Sequence, residues 1–157
     1  MRISDILVPA RVACDVDAKS VKGLLETLAQ LLTVNLSRVT RREVLDSLIN
    51  RERLGSTGLG QGVAIPHART HSSQETIGAF AKLKTGIDFD AADNHPVDLF
   101  FALLVPQHSA DEHLQILANL AEMFSEQSFL NRIRTENSQE RLYQLLIARP
   151  GGPGIQK

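Results

Sequence analysis

Along residues 18–33 the apolar positions Val21, Leu24, Leu25, Leu28, Leu31 and Leu32 recur at steps of three and four, one face of an amphipathic helix. A second stripe, Val44, Leu45, Leu48 and Ile49, opens on Thr40 with Glu43 three residues on. That is the pattern of a capping box, and it predicts a second helix running toward Arg53 and ending just before the glycines that begin at Gly55. From Thr76 to Leu83 the period drops to two, with Ile77, Ala79, Ala81 and Leu83 expected to face inward from a strand. Residues 97–105 form a nearly unbroken apolar run closed by Pro106, which predicts a central strand covered on both faces. Helical spacing returns over 110–126 with His113, Leu117, Leu120 and Phe124 on one stripe. A shorter helix follows near 128–135, and Leu142, Leu145 and Leu146 mark a last one.

Helices and strands interleave, so the expected fold class is α/β, a mixed β-sheet with helices on both faces. The expected organisation is one domain over residues 1–149 and a flexible C-terminal tail, PGGPGIQK, over 150–157. At 157 residues the chain buries about two thirds of its unfolded surface without help from a metal or disulfide.

Charge narrows the partners. Seventeen basic against eighteen acidic residues give a net charge of −1, without the excess that draws a polyanion, so nucleic acid is not an expected partner. The lone Cys14, between Val12 and Val16, is expected to be a half-buried thiol in a reducing compartment. The start MRISDILVPAR lacks the apolar core of a signal peptide, and the longest apolar run is too short to span a membrane. The expected location is cytoplasmic, with no membrane insertion.

The segment GSTGLGQGVAIPHARTH, residues 55–71, carries the candidate chemistry. A nucleotide P-loop is excluded because no Gly-Lys-Ser/Thr follows the glycines. A dinucleotide fingerprint also fails, since Val63 stands where its last glycine belongs and the order here is helix, loop, strand. What remains for Gly55, Gly58, Gly60 and Gly62 is either a plain turn or a concavity of backbone N–H groups able to hold an anion, with Ser56 and Thr57 adding hydroxyls.

Pro66 fixes its own φ and biases Ile65 toward an extended conformation, so the chain is stiff up to His67. An imidazole held there, after a helix end that carries Arg51 and Arg53, suits a phosphoryl group. The rival chemistry is a metal site on His67 and His71, at the spacing that would put two imidazoles on one helical face. His113, His108 or Asp111 would complete it, but the Glu of HExxH is missing. His95, in DNHPVD, reads as a turn residue. His113 reads either as a core histidine in register with Leu117 and Phe124, or as a ligand group at a helix start following the central strand.

RERLGSTGLGQGVAIPHA at 51–68, VDLFFALLVP at 97–106 and HLQIL at 113–117 together resemble the type 2 IIA domains of the bacterial phosphoenolpyruvate-dependent phosphotransferase system, in particular their nitrogen-regulatory branch. The similarity runs from ISDIL near the start to LYQLL near the end.

The resemblance implies the mannitol-type IIA fold and a phosphohistidine carrier, in which Nε2 of His67 accepts a phosphoryl group from an HPr-like phosphocarrier (NPr). It implies that Arg51 and His113 stand beside the phosphohistidine, and it places Arg53, where the family has a lysine, in docking. No cofactor and no metal are implied. The output would be regulation of partners, a sensor kinase or potassium transporter, by phosphorylation state. The chain stops at Lys157 with no IIB-like segment, as expected for that branch. The alternative is a sugar-specific, fructose- or mannitol-type IIA passing phosphate to a separate IIB.

Overall fold

The apolar run at 97–105 is indeed strand, and the other elements are laid around it. In this computed structural model, which describes residues 2–108 and 110–148 (110–112 by backbone alone), six strands form one sheet. In chain order the elements are α1 (Ile3–Ile6), a 3-10 turn (Pro9–Arg11), β1 (Val12–Val16), α2 (Val21–Leu32), α3 (Arg41–Leu54), β2 (Gly58–Gly60), β3 (Val63–Ala64) and β4 (His67–Thr70). There follow β5 (Ile77–Ile87), β6 (Val97–Pro106), α4 (Ala110–Met123), α5 (Gln127–Thr135) and α6 (Gln139–Ala148).

Strand order is β1-β5-β6-β3-β2, with β4 also on β6. β5 runs antiparallel to β6, whereas β3 and β4 run parallel to it and β1 runs parallel to β5. On β6, Phe100, Ala102 and Leu104 enter the core under α2 and α3, while Leu99, Phe101, Leu103 and Val105 enter the one under α1, α4, α5 and α6. The expected mixed sheet with helices on both faces is therefore what forms. Local chemistry agrees: Ser20 Oγ caps α2 by accepting from Gly23 N at 3.0 Å, and the Thr40–Glu43 capping box opens α3.

The inward alternation expected on β5 holds, and burial extends beyond it. Ile77, Ala79, Ala81 and Leu83 do enter the α2/α3 core, but the intervening Gly78, Phe80 and Lys82 are buried too, because a second helical layer covers the other face. Lys82 is only 6 % exposed. Its ammonium donates to the carbonyls of Ile133, Arg134 and Glu136, which end α5, and to Asn137 Oδ1. Helix-end carbonyls lack intrahelical donors and carry partial negative charge, so a buried cation satisfies both deficits.

β3 and β4 are one strand interrupted at Ile65–Pro66. Val63 pairs with Leu99 and His67 with Leu103, so the register is unchanged across the break. Pro66 has no N–H to donate, but its carbonyl still accepts from Leu103 N at 3.0 Å. Cys14 is half-buried as expected, and its thiol donates to the Asn137 carbonyl at 3.3 Å. Among the described residues no helix is long and apolar enough to cross a membrane. The tail expected at 150–157 lies outside the described residues.

Candidate functional site

His67 opens β4, and both of its ring nitrogens are engaged. Nδ1 lies 3.0 Å from the carbonyl of Ile65, which can only accept, so Nδ1 carries the proton. Nε2 is then left with its lone pair, and it accepts from Arg51 Nε–H at 3.1 Å. The tautomer is thus fixed from two sides by a backbone oxygen and a cation. Burial pushes the His67 pKa down; the Ile65 hydrogen bond opposes this, and the charges of Arg51 and Arg69 add to it. The ring is neutral at pH 7, with its nucleophilic atom defined.

Arg51 sits in the last turn of α3, where positive charge is favourable. A second arm, Nη1, donates to the Gly55 carbonyl at 2.8 Å. Gly55 leaves the helix at φ +154°, in the half of backbone space that favours glycine, and so brings that carbonyl back to Arg51.

His113 lies in the first turn of α4, 6 % exposed, with its ring centroid 4.8 Å from that of His67. Its Nδ1 is buried without a hydrogen-bond partner among the described residues. Burial, then the neighbouring His67, Arg69 and Arg51, push its pKa down to about 4. A core histidine ordinarily has its buried nitrogen satisfied, and this one does not. The structure therefore brings His67, Arg51 and His113 together.

The glycine loop behaves differently from an N–H cradle. Thr57 gives both its N–H and its hydroxyl to the Glu52 carboxylate, each at 2.9 Å; Gly58 N donates to Ser56 Oγ, and Gln61 N to Asp93. Gly55 N donates to the Glu52 carbonyl, and Ser56 Oγ–H to the carbonyl of Phe89. These donors are spent within the loop and on its immediate supports. Glu52 is half-buried, and burial raises its carboxyl pKa against the lowering by the Thr57 hydrogen bonds and Arg51. Ser56, Thr57 and Gly58 do border a cavity of about 350 Å³ beside His67, lined also by Leu117 and Ala121 of α4. Gly60 lies instead beside Asp93, and Gly62 (φ +82°) lies where a Cβ would collide with Arg134. The bonds of Gly55 and Thr57 brace Arg51 and the end of α3.

Arg53 is exposed and lines a hollow between α2 and α3 with Lys22 and Ile49, not the cavity beside His67. The helical premise of a His67/His71 metal pair fails because His67–Thr70 is strand, which would separate residues four apart by about 13 Å. His71 is exposed at a bend and His108 in a turn, and the Asp111 side chain lies outside the described residues. Among the described residues no three His, Cys, Asp or Glu groups gather closely enough to hold a metal. His95, expected in a turn, instead follows the turn at Ala92–Asp93 on the way to β6, its N–H donating to Asp93 Oδ1 at 3.1 Å. The sequence reading missed Glu52, which no local pattern marks, and Arg69, which strand parity with His67 could have found.

Fold and site together define a three-layer α/β domain that presents one nucleophilic imidazole backed by arginine. The chain belongs to the family described as phosphoenolpyruvate-dependent sugar phosphotransferase system, EIIA 2, which it matches over residues 5–148. It is 40% identical over 147 residues to the nitrogen regulatory protein of Pseudomonas aeruginosa, covering 94% of this chain and 96% of that one. The crystal structure of nitrogen regulatory protein IIA-Ntr from Neisseria meningitidis is similar at a TM-score of 0.85 and 39% identity, covering 92% of this chain and 98% of that one. The mannitol IIA of Escherichia coli shares the fold at a TM-score of 0.74 and 19% identity, covering 89% and 98%. The chain is thus a phosphotransferase-system IIA component similar to the nitrogen regulatory IIA proteins.

Proposed function

We propose that this chain is a cytoplasmic phosphohistidine carrier of a regulatory phosphotransferase system, accepting a phosphoryl group at Nε2 of His67 from an HPr-like phosphocarrier. The observation that carries the reading is the fixed tautomer: Ile65 holds the proton on Nδ1, so Nε2 alone offers a lone pair. In the transfer, Nε2 attacks phosphorus as the donor's P–N bond breaks, and the bonding pair returns to the donor nitrogen. Such a reaction asks for alignment and charge stabilisation more than for acid or base. Arg51, whose Nε–H donates a hydrogen bond to Nε2, turns that N–H from the lone pair to a phosphoryl oxygen.

The output follows from charge. About two negative charges added at a half-buried imidazole are enough to reverse complementarity for a partner protein. The family resemblance points to a sensor kinase or potassium transporter. With phosphoenolpyruvate, the first enzyme of the system and an HPr-like carrier, the chain should gain one acid-labile phosphoryl group, and His67→Ala should gain none. Labelling that persists in His67→Ala would overturn the assignment. Recovery of a IIB transport component as the sole partner would overturn the regulatory output while leaving the carrier role intact.

A further inference from the structure

Arg69 stands two residues beyond His67 on β4, so both side chains leave the same face of the sheet, while Ala68 and Thr70 are buried on the other. It lines a cavity of about 440 Å³ together with Ser47, Asn50, Arg51, His67 and His113. The residue is placed from two directions. Its backbone N–H donates to Ser47 Oγ at 3.0 Å, and Nη1 donates to the Gln107 carbonyl at 3.1 Å. Among the described residues no carboxylate pairs with it, whereas Arg134 is spent on Asp98 and the Gln61 carbonyl. Its charge already reaches the imidazoles, since it lowers the pKa of both His67 and His113.

A transferring phosphoryl group spreads negative charge over three oxygens. Arg51 stands at Nε2 itself with one Nη1 N–H held by the Gly55 carbonyl, and so answers that charge from one side only. We infer that Arg69 is a second phosphoryl-binding cation, donating guanidinium N–H groups to oxygens of the group as it moves onto His67 Nε2. The inference rests on the carrier reading and adds a catalytic residue to it. Arg69 is exposed and lines the same cavity as His67, and its guanidinium N–H groups other than the one on Gln107 are free to donate to an anion there.

A small donor separates contact with the phosphoryl group from contact with a protein partner. Phosphoramidate offers no docking surface: Nε2 forms the new N–P bond, the donor's P–N bond breaks, and its electron pair leaves with ammonia. The Nδ1 proton of His67 stays where it is. With the full chain and phosphoramidate, followed by phosphorus NMR, Arg69→Gln should be labelled at His67 about tenfold more slowly than the wild type, the loss of one charge-assisted hydrogen bond. Arg69→Lys, which keeps the charge, should recover part of the rate. In the same Arg69→Gln protein both imidazole titration midpoints should rise, a response that a merely structural residue would not give. Wild-type labelling of Arg69→Gln overturns the inference. Slowing with the HPr-like protein but not with phosphoramidate also overturns it, by assigning Arg69 to docking. If the wild type takes phosphate from neither donor, the carrier reading itself has failed and the inference falls with it.

Discussion

Acidification should weaken the fold through His113, by an amount the structure sets. Its ring is 6 % exposed, touches His67 and faces Arg51 and Arg69, and its pKa stands at about 4 in the folded protein. In the unfolded chain an imidazole titrates near 6.5. Between those values the unfolded state binds a proton that the folded state refuses, so stability falls as pH drops below about 6.5 and levels off below the folded value. The loss from this one group is about 2 kcal/mol at pH 5 and about 3 kcal/mol once pH is below 4. His67, whose pKa is also lowered, adds to the loss in the same direction. His113→Gln removes the titration and isolates its share. Urea unfolding of both proteins at pH 7, 6 and 5 should show the wild type losing about 2 kcal/mol more than the variant by pH 5. Parallel pH profiles would refute the argument, because they would mean that His113 protonates as freely in the fold as outside it.

Two further substitutions test the supports of the site. Arg51→Ala should slow phosphoryl acceptance by the equivalent of about 1.5 to 3 kcal/mol, with partial recovery in Arg51→Lys, since an ammonium lacks the planar fork that holds Gly55 and Nε2 together. Single-turnover rates measure this, and wild-type rates in both variants would remove Arg51 from the mechanism. Lys82→Met strips the donor from the carbonyls that end α5 and should cost about 3 kcal/mol in a denaturant titration. A loss under about 1 kcal/mol would mean that water satisfies those carbonyls instead.

Much of this architecture was written in local patterns. The α2 stripe, the Thr40–Glu43 box and the apolar β6 each reflect a rule that acts within a dozen residues, and each appears where that rule puts it. His67, Arg51 and His113 were legible from motif resemblance and meet in space. What escaped depends on distant partners. Alternation on β5 showed one face of the strand but not that helices cover the other, so Lys82 passed unnoticed. The glycine loop looked like an anion cradle because its donors could be counted, whereas their acceptors, Glu52 and Asp93, are fixed only by the fold.

The unbroken register of residues 63–70 on β6 gives the reactive histidine an address of a particular kind. A pleated strand offers each residue only two exits, so the side on which the imidazole emerges depends on whether the count of residues leading to it is odd or even. A one-residue insertion before His67, with pairing kept, would exchange its exit with that of Ala68 and drive the ring into the packing beneath α2 and α3. Two residues would restore the exit and shift the ring by about 6.6 Å along the strand, out of reach of Arg51. Parity thus selects the layer, and the guanidinium can act on Nε2 only after that choice has been made.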